Sequence, residues 1–136
     1  LLVNLTISLP KIFIMKKILG IGNALVDVMT PIANDNILNK FSLPKGSMTL
    51  VDAGKSRLVK EETSKFRKRL ASGGSAANTI HGLSMLGAKT GFIGSVGKDE
   101  TGDFFENDMK KSGVRTMLLL RKTETGNAVS LISGES

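Results

Sequence analysis

The run Ser72-Gly73-Gly74-Ser75-Ala76-Ala77-Asn78-Thr79 constrains this chain most, because it sets two side-chain-free residues at the mouth of a helix. From Ala76 onward the apolar residues Ala76, Ile80, Leu83 and Leu86 recur at helical spacing, and Gly87 stands where a C-terminal cap belongs. The pattern predicts a helix from Ser75 to Leu86 that opens on the glycine pair. Backbone N–H groups there can approach a ligand that any Cβ would push away, and the helix dipole favours electron-rich oxygens at that end. Asn78, one turn in, adds a donor and an acceptor. A glycine pair by itself is also an ordinary strand-to-helix turn, so its meaning depends on the rest of the chain.

With 136 residues, 40% of them hydrophobic, the chain has the length and composition of one domain with a core. It has no cysteine, which excludes disulfides, zinc-thiolate sites and a thiol nucleophile and agrees with a cytoplasmic location. The single His81 has no second His or Cys with which to share a metal. No apolar run is long enough for a membrane span, so no membrane partner is expected. The net charge of +7 collects largely between Lys55 and Arg69, where seven basic residues face only Glu61 and Glu62. Leu58, Val59, Phe66 and Leu70 lie in the same stretch, predicting an amphipathic helix over roughly Gly54 to Leu70 with a solvated basic face. There is no Tyr or Trp to stack on bases, and nucleic acid is not an expected partner.

Along the chain, Lys17 to Asn23 reads as a short buried strand and Leu25 to Ile32 as an extended segment around Asp27. A carboxylate in so apolar a run is costly to bury without a partner, so Asp27 is either exposed or a ligand-binding group. A short helix is expected at Ile37 to Phe41 and a strand at Ser47 to Val51. Thr90 to Val96 is the next strand, leading through Gly97-x-Asp99-x-x-Gly102 into a helix over Asp103 to Lys111 that Gly113 caps. Arg115 to Leu120 and Asn127 to Ile132 are two further strands around a Thr125-Gly126 turn. Helices between the strands starting at Lys17, Thr90 and Arg115 predict a parallel α/β core. The segments around Asp27, Ser47 to Val51 and the last two strands lack interleaved helices and are expected to form a separate, lid-like sheet. Leu1 to Ile14, broken by Pro10 and lacking signal-peptide features, reads as an upstream or non-native extension before a start at Met15.

Two glycine motifs suggest nucleotide chemistry and fail on spacing. Gly20-Ile21-Gly22-Asn23-Ala24-Leu25 begins like a dinucleotide fingerprint, but Leu25 replaces the third glycine and an extended segment follows instead of a helix. Gly54-Lys55-Ser56 resembles the end of a P-loop, but Thr49 stands where its first glycine belongs.

An early Gly-x-Gly-Asn strand with Asp27 four residues after Asn23 comes first; the Ser72-Gly73-Gly74 helix start with Asn78, the Gly97-x-Asp99-x-x-Gly102 turn and the Thr125-Gly126 turn follow in order. In that order they resemble the N-terminal part of ribokinase-like, PfkB-type carbohydrate kinases, from about Lys16 to Ser136. Gly22-Asn23-Ala24-Leu25-Val26-Asp27, Phe41-Ser42-Leu43 and Ile80 are most similar to the adenosine-kinase branch. The resemblance implies an αβα core with a small β-sheet lid, the lid segments being approximately 25–52 and 115–136. It also implies transfer of the ATP γ-phosphoryl group, with magnesium, to a primary hydroxyl of a ribonucleoside or sugar. Carried onto this sequence, Asp27 accepts hydrogen bonds from two sugar hydroxyls, Asn23 and Asn78 hold the same ring, and Gly73 and Gly74 bring backbone amides against it. Met48 and Leu50 cover the apolar face of the sugar or base. The acceptor-only chemistry of a carboxylate suits a vicinal diol.

The chain departs from the family in one respect. The Gly-Ala-Gly-Asp motif that supplies the family's catalytic base has no counterpart in the 136 residues, nor has its magnesium-associated Asn-x-x-Glu. The chain is therefore expected to be the substrate-binding portion of a kinase, inactive and weakly stable alone, from a protein that is a monomer or a lid-mediated dimer. The alternatives are a non-catalytic sugar- or nucleoside-binding module and, using the basic face, a nucleic-acid-binding domain.

Overall fold

A computed structural model describes residues 17–134, so the expected extension over residues 1–14 and the expected start at Met15 lie outside the described residues. Three parallel strands make the first sheet: β1 (Ile18–Ile21), β4 (Thr90–Gly97) and β5 (Arg115–Arg121), in the order β1-β4-β5. The second sheet has the order β3-β2-β6, from β2 (Leu25–Ile32), β3 (Arg69–Gly73) and β6 (Gly126–Ser133). In it β2 runs antiparallel to β3 and parallel to β6. The helices are α1 (Asn36–Lys40), α2 (Ala53–Glu62), α3 (Ser75–Met85) and α4 (Glu100–Lys111).

Helix α3 connects its way back to the first sheet against β1 and β4, and α4 touches strands of both sheets. The even-numbered side of the first sheet faces these helices. Phe92 and Phe105 are both fully buried there, with ring centroids 5.6 Å apart and planes tilted by 53°. Met109 and Val114 close the same cluster, and Val26 and Val28 join it from β2, so one apolar core unites the two sheets around α4. Asp99 caps α4 by accepting the Gly102 N–H at 2.7 Å, and Gly113, at φ +80°, turns the chain out of it.

The strands at Lys17, Leu25, Thr90, Arg115 and Asn127, and the helices at the glycine pair and after Asp99, form where the sequence predicts them. Three expectations need correction. Ser47 to Val51 alternates like a strand but pairs with no strand among the described residues; it leaves the Gly46 turn as irregular chain. An alternating pattern makes a strand only when a neighbour offers its backbone groups, and neither edge of the β3-β2-β6 sheet pairs with this segment. The basic helix stops at Glu62 rather than reaching Leu70: the buried Thr63 is its C-cap, with its hydroxyl on the Val59 carbonyl at 2.8 Å, and the chain turns before entering β3 at Arg69. Pairing with β2 overrides local helical preference from Arg69 onward. Finally, β5 belongs to the first sheet, in parallel register with β4, so of the last two strands only β6 joins the second sheet.

Candidate functional site

The two sheets meet where β1 hands over to β2 and β3 hands over to α3, and Asn23, Asp27, Gly73, Gly74 and Asn78 lie at or close to these junctions. Asp27, half-buried on β2, lies opposite Ala71 of β3. Its carboxylate rests directly on Gly73: a Cβ added there would stand 2.6 Å from Asp27 Oδ2 and 2.9 Å from Cγ. Gly74 is the N-cap of α3 at φ +98°, a conformation L side chains rarely adopt. A Cβ on it would stand 2.6 Å from the Asn23 carbonyl oxygen. The glycine pair therefore has two separate physical reasons, an acidic side chain against the first and a crossing backbone against the second.

Asn23, in the exposed link between β1 and β2, lines a cleft of about 170 Å³ at the C-terminal ends of β1, β4 and β5, with Ser95, Arg121, Thr125 and Gly126. Crevices outside the carboxyl ends of parallel strands are where open α/β sheets bind ligands; of the predicted site residues Asn23 lines this one, while Asp27, Gly73, Gly74 and Asn78 do not. Asn78 is exposed in the first turn of α3, where its N–H donates to the Gly74 carbonyl at 2.8 Å. The fold thus brings Asp27 to Gly73 and Asn23 to Gly74, with Asn78 one turn along the helix that the pair opens. Met48 and Leu50 stand apart from this group, 98% and 100% exposed on irregular chain.

The remaining motifs resolve into packing devices. A Cβ on Gly20 would collide with the Ile80 side chain, and one on Gly22 would lie 2.7 Å from the Ala76 Cβ, so these glycines seat α3 on β1. Gly54-Lys55-Ser56 is the first turn of α2, with the Lys55 N–H donating to Asp52 at 2.7 Å. Gly97-x-Asp99-x-x-Gly102 and Thr125-Gly126 are a single knot. Asp99 accepts from the Thr125 N–H at 2.7 Å, the Thr125 hydroxyl at 2.8 Å and the Gly102 N–H, while the Thr125 hydroxyl oxygen accepts the Gly97 N–H at 2.9 Å. Burial pushes the Asp99 carboxyl up, but the hydrogen bonds from Thr125 and Gly102 and the charge of Lys60 outweigh it and hold its pKa below the ordinary 3.8. Sequence reading found each turn and missed the side-chain role of Thr125, because nothing local links it to Asp99 across 26 positions.

Among the described residues no group of three or more His, Cys, Asp or Glu is placed to hold a metal ion, and no helix is long and apolar enough to cross a membrane.

A parallel sheet with helices threaded between its strands, joined to a small second sheet, with a glycine-pair helix mouth at the junction, defines the ribokinase-like class of α/β fold. The pfkB family carbohydrate kinase model matches residues 48–136, well over half of the sequence, and the chain belongs to that family. It is 32% identical over 123 residues to adenosine kinase of Saccharomyces cerevisiae, covering 85% of this chain and 36% of that protein. Against 5-dehydro-2-deoxygluconokinase of Clostridium beijerinckii it is 49% identical over 55 residues, 40% of this chain and 16% of that one. The crystal structure of adenosine kinase from Sinorhizobium meliloti superposes with a TM-score of 0.71 at 30% identity, covering 89% of this chain and 37% of that structure. The chain thus spans little more than a third of the length of these two adenosine kinases.

Proposed function

We propose that this chain carries the acceptor-binding site of an ATP-dependent pfkB-type kinase whose acceptor is a ribonucleoside of the adenosine kind or a furanose sugar. The observation that carries the reading is the Asp27 carboxylate lying against Gly73 at the mouth of α3, with Asn23 beside Gly74. An acceptor-only group next to a helix N-terminus suits a vicinal diol, whose two hydroxyls donate to the carboxylate while ring or hydroxyl oxygens accept from backbone amides. Asn23 and Asn78 complete the polar set. Met48 and Leu50, both exposed, are the side chains proposed to fold over the apolar face of the sugar or base. Similarity to adenosine kinase over 85% of the chain, and to the Sinorhizobium meliloti adenosine kinase structure over 89% of it, supports the nucleoside.

Phosphoryl transfer is chiefly positioning and charge stabilisation. In this reading ATP with magnesium supplies the transferred group. The described residues do not form a cluster fit to hold the metal, and the Gly-Ala-Gly-Asp motif does not occur in the sequence. The part played by these residues is therefore confined to binding and orienting the acceptor, and the 136-residue chain is expected to show no turnover alone.

Calorimetric titration of the chain with adenosine, other ribonucleosides, ribose and 5-dehydro-2-deoxygluconate tests the proposal. Adenosine is expected to bind. Asp27→Ala is expected to weaken that binding about ten- to a hundredfold, the loss of one charged hydrogen-bond acceptor at roughly 1.5–3 kcal/mol. Absence of binding to every ribose-bearing ligand, or equal affinity in Asp27→Ala, would overturn it.

A further inference from the structure

Helix α4 holds the second sheet by two carboxylates, one at each outer strand. At its N-terminus Asp99 grips Thr125, immediately before β6. In its third turn Asp108 reaches β3: its Oδ2 accepts both the Ser72 N–H at 3.0 Å and the Ser72 hydroxyl at 2.7 Å, across 36 positions of sequence. β3 is an edge strand, so the Ser72 amide that meets Asp108 is one that β2 does not take up. Asp108 sits between Phe105 and Met109, the two fully buried anchors of α4, and its carboxylate is thereby fixed relative to the core.

We infer that Asp108 is a positioning residue for the Gly73-Gly74 loop, setting through Ser72 where that loop stands against Asp27 and Asn23. Ser72 is the residue before Gly73, whose Cα receives the Asp27 carboxylate, and two before Gly74, which packs on the Asn23 carbonyl. Neither glycine has room for a side chain, and among the described residues the side-chain hydrogen bonds at the loop's strand end are the two to Asp108. Charge-assisted bonds from an amide and a hydroxyl to one carboxylate oxygen are a stiff tether. The functional half of this inference rests on the acceptor site proposed above; the tether itself does not.

The test compares the chain with Asp108→Ala, Ser72→Ala and a control, Ser84→Ala, which removes a bond from the Ser84 hydroxyl to the Ser112 carbonyl that ties α3 to α4 at their far ends. Amide hydrogen exchange and adenosine affinity are read on each. In Asp108→Ala, exchange at positions 72–74 is expected to speed up about tenfold relative to β4 and α3, with adenosine affinity falling by about the same factor, the equivalent of one hydrogen bond. Ser72→Ala, which loses one of the two bonds and should remain folded, is expected to show a smaller change of the same pattern, and Ser84→Ala no change in affinity. Exchange at 72–74 that stays in step with the rest of the molecule in both site variants overturns the tether. Loosened amides with unchanged affinity overturn the positioning role. If the unsubstituted chain binds no ribose-bearing ligand, the acceptor-site reading fails while the exchange data still decide the tether.

Discussion

Asp99 shows how one residue can hold two elements. It caps α4 and, with its other oxygen, takes the Thr125 amide, so the entry to β6 is fixed by the same carboxylate that starts the helix. Its pKa is depressed, so it adds stability that is complete above the unfolded value of about 4 and is lost as pH falls through the lower folded value. Asp99→Asn retains one acceptor oxygen and loses the charge. It is expected to cost about 1–2 kcal/mol at neutral pH and to flatten the fall in stability below about pH 4. Urea unfolding at pH 7 and pH 3 measures both; a variant with the parent's acid dependence would show that Asp99 does not contribute to it.

At the scale of elements, the seating of α3 decides whether the site exists. The helix can lie on β1 only because Gly20 and Gly22 present no Cβ to Ile80 and Ala76. A methyl group at Gly20 forces the buried Ile80 side chain off its position, and overpacking of this kind costs about 1–3 kcal/mol. Gly20→Ala is therefore expected to lower the urea midpoint by that equivalent without changing the slope. A glycine kept for cofactor contact rather than packing would tolerate the substitution with stability intact.

Over the whole molecule, the first sheet is covered on one face and open on the other. Leu19, Ile21, Met117 and Leu119 share the odd-numbered side and are 53%, 71%, 40% and 62% exposed. Parallel sheets are ordinarily buried on both faces. The isolated chain is accordingly expected to bind the dye ANS while retaining cooperative unfolding. The pair Leu19→Ser and Leu119→Ser should reduce the dye signal at a stability change within about 0.5 kcal/mol, as for exposed positions generally. No dye binding, or a loss of several kcal/mol in the double variant, would mean that this face is packed in solution.

The sequence by itself determined where the strands at Lys17, Leu25, Thr90, Arg115 and Asn127 begin, the helix on the glycine pair and the helix after Asp99. Each rests on periodicity and caps that act within one or two turns. It also singled out Asp27, Gly73 and Gly74, through a carboxylate in an apolar run and glycines at a helix mouth, whereas Asn23 entered only through the family resemblance. Tertiary structure alone decided which sheet each strand joins: Arg69–Gly73 has no strong strand pattern and becomes one by pairing with β2, while Ser47 to Val51 has the pattern and lacks a partner. It alone joined Thr125 to Asp99 and Ser72 to Asp108, since a hydrogen bond across 26 or 36 positions leaves no trace in local composition. Backbone preference is written residue by residue, whereas pairing and tethering depend on what the folded chain brings alongside.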